Sequence, residues 1–84
     1  MRYVARVEVA LKPGHVDPEG ESTKNALIEL RYPVGSVRVS KVYEIVLEAN
    51  SADEAVVLVE EMCRRLLANP VKDDYRYSVE EIKS

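Results

Sequence analysis

Apolar and polar residues alternate from the start of the chain. Tyr3, Ala5, Val7, Val9 and Leu11 fall on one side, with Arg2, Arg6 and Glu8 on the other. A period of two with one apolar face predicts a half-buried strand over residues 3–11. Lys12-Pro13-Gly14 breaks the pattern. Asp17-Pro18-Glu19 then has the signature of a helix start: Asp17 can cap, Pro18 suits the first helical position, and Glu19 and Glu21 lie near the positive end of the dipole. Thr23, Ala26, Leu27 and Leu30 recur at helical spacing and share one face of that helix. Tyr32-Pro33-Val34-Gly35 ends it.

Alternation returns from Val37 to Glu48, with Val37, Val39, Tyr43, Ile45 and Leu47 facing one way. Ser40-Lys41-Val42 carries no Gly, Pro or Asn to mark a turn. A two-residue hairpin there would also put Glu44 on the apolar face. The pattern therefore predicts one long, bent strand, able to reach a partner chain. Ser51 and Glu54 have capping-box spacing. Behind them Ala55, Leu58, Val59, Met62, Cys63, Leu66 and Leu67 form a wide apolar stripe, with Arg64 and Arg65 in the last turn and Asn69-Pro70 as the stop. Tyr75 to Val79 alternates again. The order β-α-β-(β)-α-β implies one α+β domain over residues 1–84. Its antiparallel sheet is covered by two helices, in half-ferredoxin-like units joined by the long middle strand.

Size changes the picture. A domain of 84 residues buries only about 60–65% of the surface of its unfolded chain, so a lone monomer is marginal. It has one cysteine and no Phe or Trp, which excludes disulfide staples and leaves oligomerisation as the usual remedy. Twelve Lys and Arg are scattered among fifteen Asp and Glu, for a net charge of -3. That balance argues against nucleic acid as a partner. The chain shows no apolar h-region and no stretch of the ~20 apolar residues that span a membrane. With a lone Cys63, this points to a reducing cytoplasm and away from membranes.

Candidate chemistry is sparse. Cys63 sits within the apolar stripe, where a thiol packs as a small hydrophobe. His15, the one histidine, lies in a Pro-Gly loop with no second ligand beside it in sequence. Gly14, Gly20 and Gly35 are too dispersed to cradle a phosphate. Glu60-Glu61 and Asp73-Asp74 read as solvated surface. Tyr75 and Tyr77 share a strand face and could stack bases, but on an acidic chain they are expected to cover the core and present their hydroxyls.

Two longer stretches carry a resemblance. Leu11-Lys12-Pro13-Gly14-His15-Val16-Asp17-Pro18-Glu19-Gly20 is similar to the L-K-P-G-x-x-D-P-x-G opening of the PurS family. Met62-Cys63-Arg64-Arg65-Leu66-Leu67-Ala68-Asn69-Pro70-Val71-Lys72-Asp73-Asp74-Tyr75 is similar to its M-C-x-x-L-L-A-N-P-V-x-x-D-Y signature. Val37-Arg38-Val39-Ser40-Lys41 resembles the family's V-R-x-G-K segment, with Ser40 in place of a common Gly. Arg31-Tyr32-Pro33 stands where the family usually has Gly-Tyr.

The resemblance implies the small, non-catalytic subunit of phosphoribosylformylglycinamidine synthase. That complex converts formylglycinamide ribonucleotide to formylglycinamidine ribonucleotide with ATP and glutamine. The implied partners are a second copy of the chain (dimer or tetramer), the large synthetase subunit and the glutaminase, with ammonia passing between the last two. No cofactor of its own is implied; ATP and Mg serve the complex. By the same resemblance Arg38, Lys41, Asn69, Pro70, Asp74 and Tyr75 become interface or structural positions. For Asn69-Pro70 a plain helix stop remains open, and for Arg38 and Lys41 a solvated strand face. The competing readings are an ACT-like ligand-sensing domain, for which Pro13-Gly14 is a thin binding loop, and a small phosphohydrolase, for which no anion-cradling loop can be placed.

Overall fold

Strand β1, Arg2–Leu11, is the axis of the molecule. In the computed structural model, which describes residues 1–83, β1 pairs antiparallel with β2, Ser40–Glu48, on one side and with β3, Asp73–Glu81, on the other. The sheet order is β2-β1-β3. Both neighbours run against β1, so helix α2, Ala52–Met62, must cross over the sheet to connect them. This is a split β-α-β unit of the half-ferredoxin kind. Among the described residues the sheet has three strands, one fewer than the βαββαβ unit of an ACT-like domain.

The register places Tyr3, Ala5, Val7 and Val9 beside Leu47, Ile45 and Tyr43 and beside Val79, Tyr77 and Tyr75. That is the expected apolar face, and α2 lies on it. Ala5, Val7, Val59 and Cys63 are fully buried there, with Val9 and Ala68 nearly so. Tyr3, Ala49 and Ala55 close the core at the other end. The opposite face is open. It carries the cross-strand pairs Arg2–Glu48, Arg6–Glu44 and Glu8–Arg76, at 3.9, 3.9 and 2.9 Å. Exposed pairs of this kind add little stability.

The caps behave as the sequence predicts. Asp17 accepts from the Gly20 N–H to open helix α1, Pro18–Glu29. Ser51 accepts from the Glu54 N–H at 3.1 Å. Glu54 reaches back one residue further than in the usual capping box, to the backbone and side-chain nitrogens of Asn50. Lys12-Pro13-Gly14-His15 makes a turn closed by the His15 N–H on the Lys12 carbonyl, with Gly14 at φ 91°. A residue with a Cβ would be strained there. Arg31, just past α1, is also left-handed (φ 71°). This is the position at which helices favour glycine, and it is where the sequence departs from the family's Gly-Tyr.

Three features differ from the pattern read along the chain. The middle strand is single and unbroken by a hairpin, but its sheet pairing begins at Ser40 and the approach over residues 33–39 belongs to no strand. Helix α2 passes into a π-helical turn, Cys63–Leu67, with the Ala68 N–H donating to the Cys63 carbonyl. One extra residue in that turn rotates the stripe, so Leu66 is 83% exposed and Ala68 takes the buried position. Helix α1 does not cover the sheet: its one buried residue is Gly20, and Leu30 is 68% exposed. The chain is consequently long and thin, 51 × 31 × 14 Å, with a radius of gyration of 16.6 Å. A compact domain of this length would have about 12 Å.

Candidate functional site

Three of the sequence-predicted positions meet where the π-turn hands over to β3. Pro70, Asp74 and Tyr75 line an open groove of about 440 Å3 together with Lys12, Arg64 and Cys63. Asn69 builds its wall. The Asn69 side-chain oxygen accepts from the Val71 and Lys72 N–H groups at 2.9 and 3.3 Å, an Asx turn that reverses the chain after the helix. Its own N–H donates to the Asp73 carboxylate at 2.8 Å, and the Asp73 N–H returns to the Asn69 carbonyl. Asn69 thus has a complete local role. Asp74 pairs with the Lys12 ammonium at 2.7 Å, which ties the end of β1 to the start of β3.

Glu60, read from the sequence as solvated surface, is the polar centre of this end. Its two carboxylate oxygens accept the Tyr75 and Tyr77 hydroxyls, the latter at 2.7 Å, while the Arg64 guanidinium stands 3.5 Å away. The two rings stack with centroids 6.4 Å apart, tilted by 11°. The available signal was the tyrosine pair itself, since hydroxyls turned toward a helix need an acceptor from it. The Tyr75 hydrogen bond, with that of Tyr77, holds the Glu60 carboxyl below its ordinary pKa. The same bonds, reinforced by burial, raise Tyr75 and push Tyr77 to about 12. Burial also raises the Cys63 thiol beneath them, so it is no thiolate nucleophile at neutral pH.

These shifts fix the sign of a pH dependence. A depressed carboxyl stabilises the fold above its unfolded value of 4.5 and loses that contribution as pH falls through the folded value. Raised tyrosines stabilise below 10 and lose the contribution as pH climbs toward about 12. Glu60→Gln is therefore expected to lower the melting temperature at pH 7 and to flatten its decline on both sides. Melting curves recorded from pH 3 to 11 check this; a profile parallel to wild type would show that the clasp contributes nothing.

Arg38 and Lys41 do not line this groove but lie at the same end of the sheet. Lys41 pairs in register with Val9, at the end of the helix-covered face, and its side chain is exposed. Arg38 precedes β2, and its guanidinium donates to the Leu11 carbonyl. It lines a second hollow, about 430 Å3, with Lys12, His15 and Asp17. Among the described residues no group of three or more His, Cys, Asp and Glu side chains is placed to hold a metal ion. No described helix is long and apolar enough to cross a membrane.

The family model for PurS, phosphoribosylformylglycinamidine (FGAM) synthase, matches residues 4–81. The chain belongs to the PurS family. It is 44% identical over 81 residues to the phosphoribosylformylglycinamidine synthase subunit PurS of Bacillus subtilis, covering 95% of each chain. A crystal structure of PurS from Methanocaldococcus jannaschii is described as one of the subunits of formylglycinamide ribonucleotide amidotransferase in the purine biosynthetic pathway. It superposes with a TM-score of 0.85 at 39% identity, over 96% of this chain and 99% of that one. A chain from the PurLQS structure of Thermotoga maritima superposes with a TM-score of 0.87 at 27% identity, over 95% and 99%. The PurS match runs through β1, both helices and β3. It takes in both the opening at Leu11–Gly20 and the C-terminal signature at Met62–Tyr75.

Proposed function

We propose that this chain is the small subunit of phosphoribosylformylglycinamidine synthase, supplying no catalytic group and bridging the synthetase and glutaminase subunits so that ammonia passes between them. ATP and Mg act on the synthetase. The observation that carries the proposal is the near-complete match, in sequence and in fold, to PurS subunits, one of them from a PurLQS structure. The shape is consistent with it. A thin molecule with a bare helix, an open sheet face and two free sheet edges has most of its surface available for partners.

Self-association belongs to the same proposal. Ala26, Ile28, Leu30 and Tyr32 are exposed on and just after α1, an apolar set that a second copy would cover. Leu66 and Val71, 83% and 77% exposed, flank Asn69-Pro70 in sequence and offer a further apolar contact. Pro70, Asp74 and Tyr75 would meet a partner there, with Arg38 and Lys41 at the same end of the sheet, across Lys12 and Asp73.

Reconstitution tests the subunit role. Glutamine-dependent synthase activity, assayed with the large subunit and glutaminase of the same organism, is expected to require this chain, which alone turns over nothing. Full activity without it would overturn the proposal.

A further inference from the structure

Helix α1 projects from the body with no extensive contact to the sheet or to α2. Something at its base must set its direction, and the structure shows what does. The Asp17 carboxylate divides its two oxygens between two segments: Oδ1 accepts from the Gly20 N–H at 2.9 Å, and Oδ2 accepts from the Val39 N–H at 2.8 Å. The first bond caps the helix. The second joins the helix start to the stretch that enters β2, a residue 22 positions away. That stretch is itself held by Arg38, whose guanidinium donates to the Leu11 carbonyl at the end of β1. Gly20 lets the two segments touch: a Cβ there would stand 2.5 Å from the Val37 carbonyl oxygen and 2.7 Å from Asp17 Oδ2. No ordinary side chain fits that approach.

We propose that Asp17 is a positioning residue which, through its bond to Val39, orients the α1 arm relative to the sheet and so presents the arm's apolar stripe to a second copy of the chain. The assembly part of this inference rests on the self-association proposed above; the orientation part does not. Asp17 does two separable things, as cap and as clamp. Both bonds involve a carboxylate, which makes them stronger than neutral ones.

Substitution separates the two. Serine caps a helix about as well as aspartate but has a single oxygen. Asp17→Ser therefore keeps the bond to Gly20 and loses the one to Val39. Asp17→Asn also leaves a single oxygen; with that oxygen capping Gly20, the amide nitrogen cannot accept a hydrogen bond from the Val39 N–H. With the full-length chain, we expect both variants to melt within a few degrees of wild type, because the core between α2 and the sheet is untouched. The Gly20 amide stays protected from hydrogen exchange, while Val39 exchanges about tenfold faster, the loss expected for one charge-assisted bond. Self-association measured by light scattering over a concentration series weakens by about tenfold or more. A purely capping role predicts the reverse: Asp17→Ser indistinguishable from wild type in Val39 exchange and in mass, which would overturn the clamp. A wild-type chain that scatters as a monomer at all concentrations would instead remove the self-association reading, and Val39 exchange in Asp17→Ser would then decide the orientation role by itself.

Discussion

Val59→Ala is expected to lower the melting temperature by roughly 10–20 °C. Val59 is fully buried in the contact between α2 and the sheet, in one cluster with Ala5, Val7, Val9 and Cys63. Truncation removes two carbon groups, each worth about 0.8 kcal/mol of transfer free energy, and leaves a cavity that adds on the order of another kcal/mol. A loss of about 2–3 kcal/mol weighs heavily here, since native domains hold roughly 0.05–0.15 kcal/mol per residue. Because α2 is the one helix lying on this sheet, no second layer shares the load. Melting followed by circular dichroism at fixed protein concentration is the measurement, with Glu61→Ala on the exposed side of α2 as the control. A shift no larger than the control's would mean that the sheet does not depend on α2.

The second large effect concerns assembly. Leu27→Asp combined with Leu30→Asp is expected to leave the core intact and to abolish self-association. Leu30 is 68% exposed and Leu27 half-buried in the single chain; neither belongs to the buried clusters. Burying a leucine stabilises by about 1.5–3 kcal/mol, so losing two at an interface weakens association by roughly a thousandfold or more, before the cost of desolvating two carboxylates. Light scattering gives the mass and circular dichroism confirms the fold. If the double variant keeps the wild-type mass, α1 is not the assembly surface, and the open sheet face with its Arg–Glu pairs becomes the candidate. Assayed in the reconstituted synthase, the same variant would also show whether activity needs the oligomer or only the subunit.

Both effects depend on one helix being packed and the other bare. The sequence separates them poorly. The Thr23, Ala26, Leu27, Leu30 stripe of α1 and the Ala55, Leu58, Val59, Met62 stripe of α2 have the same spacing, and periodicity reports that a face is apolar without saying what covers it. The groove at the end of α2 was partly legible. Pro70, Asp74 and Tyr75, singled out through the C-terminal signature, line one groove, and Asn69 makes the turn before it. Glu60 was missed because a glutamate on the flank of a helix looks solvated until the strand opposite it is known to present two tyrosines. Arg38 and Lys41, three apart in sequence, read as one strand face; β2 begins at Ser40, so only Lys41 lies on the strand.

The sequence by itself determined the elements with local causes. Alternation set the buried faces of β1 and β3, Asp17 and Ser51 set the helix starts, and Pro13-Gly14 set the turn from β1 toward α1; each acts on neighbours within a few residues, through a backbone bond or a steric limit. Tertiary structure decided the rest: the β2-β1-β3 order, the extra residue in the π-turn that exposes Leu66 and buries Ala68, the Glu60 clasp, and the reach of Asp17 to Val39. Apart from the π-turn, whose closing bond joins Cys63 and Ala68, each of these joins groups far apart in the chain, and their energies exist only once β1 has brought distant segments to its sides.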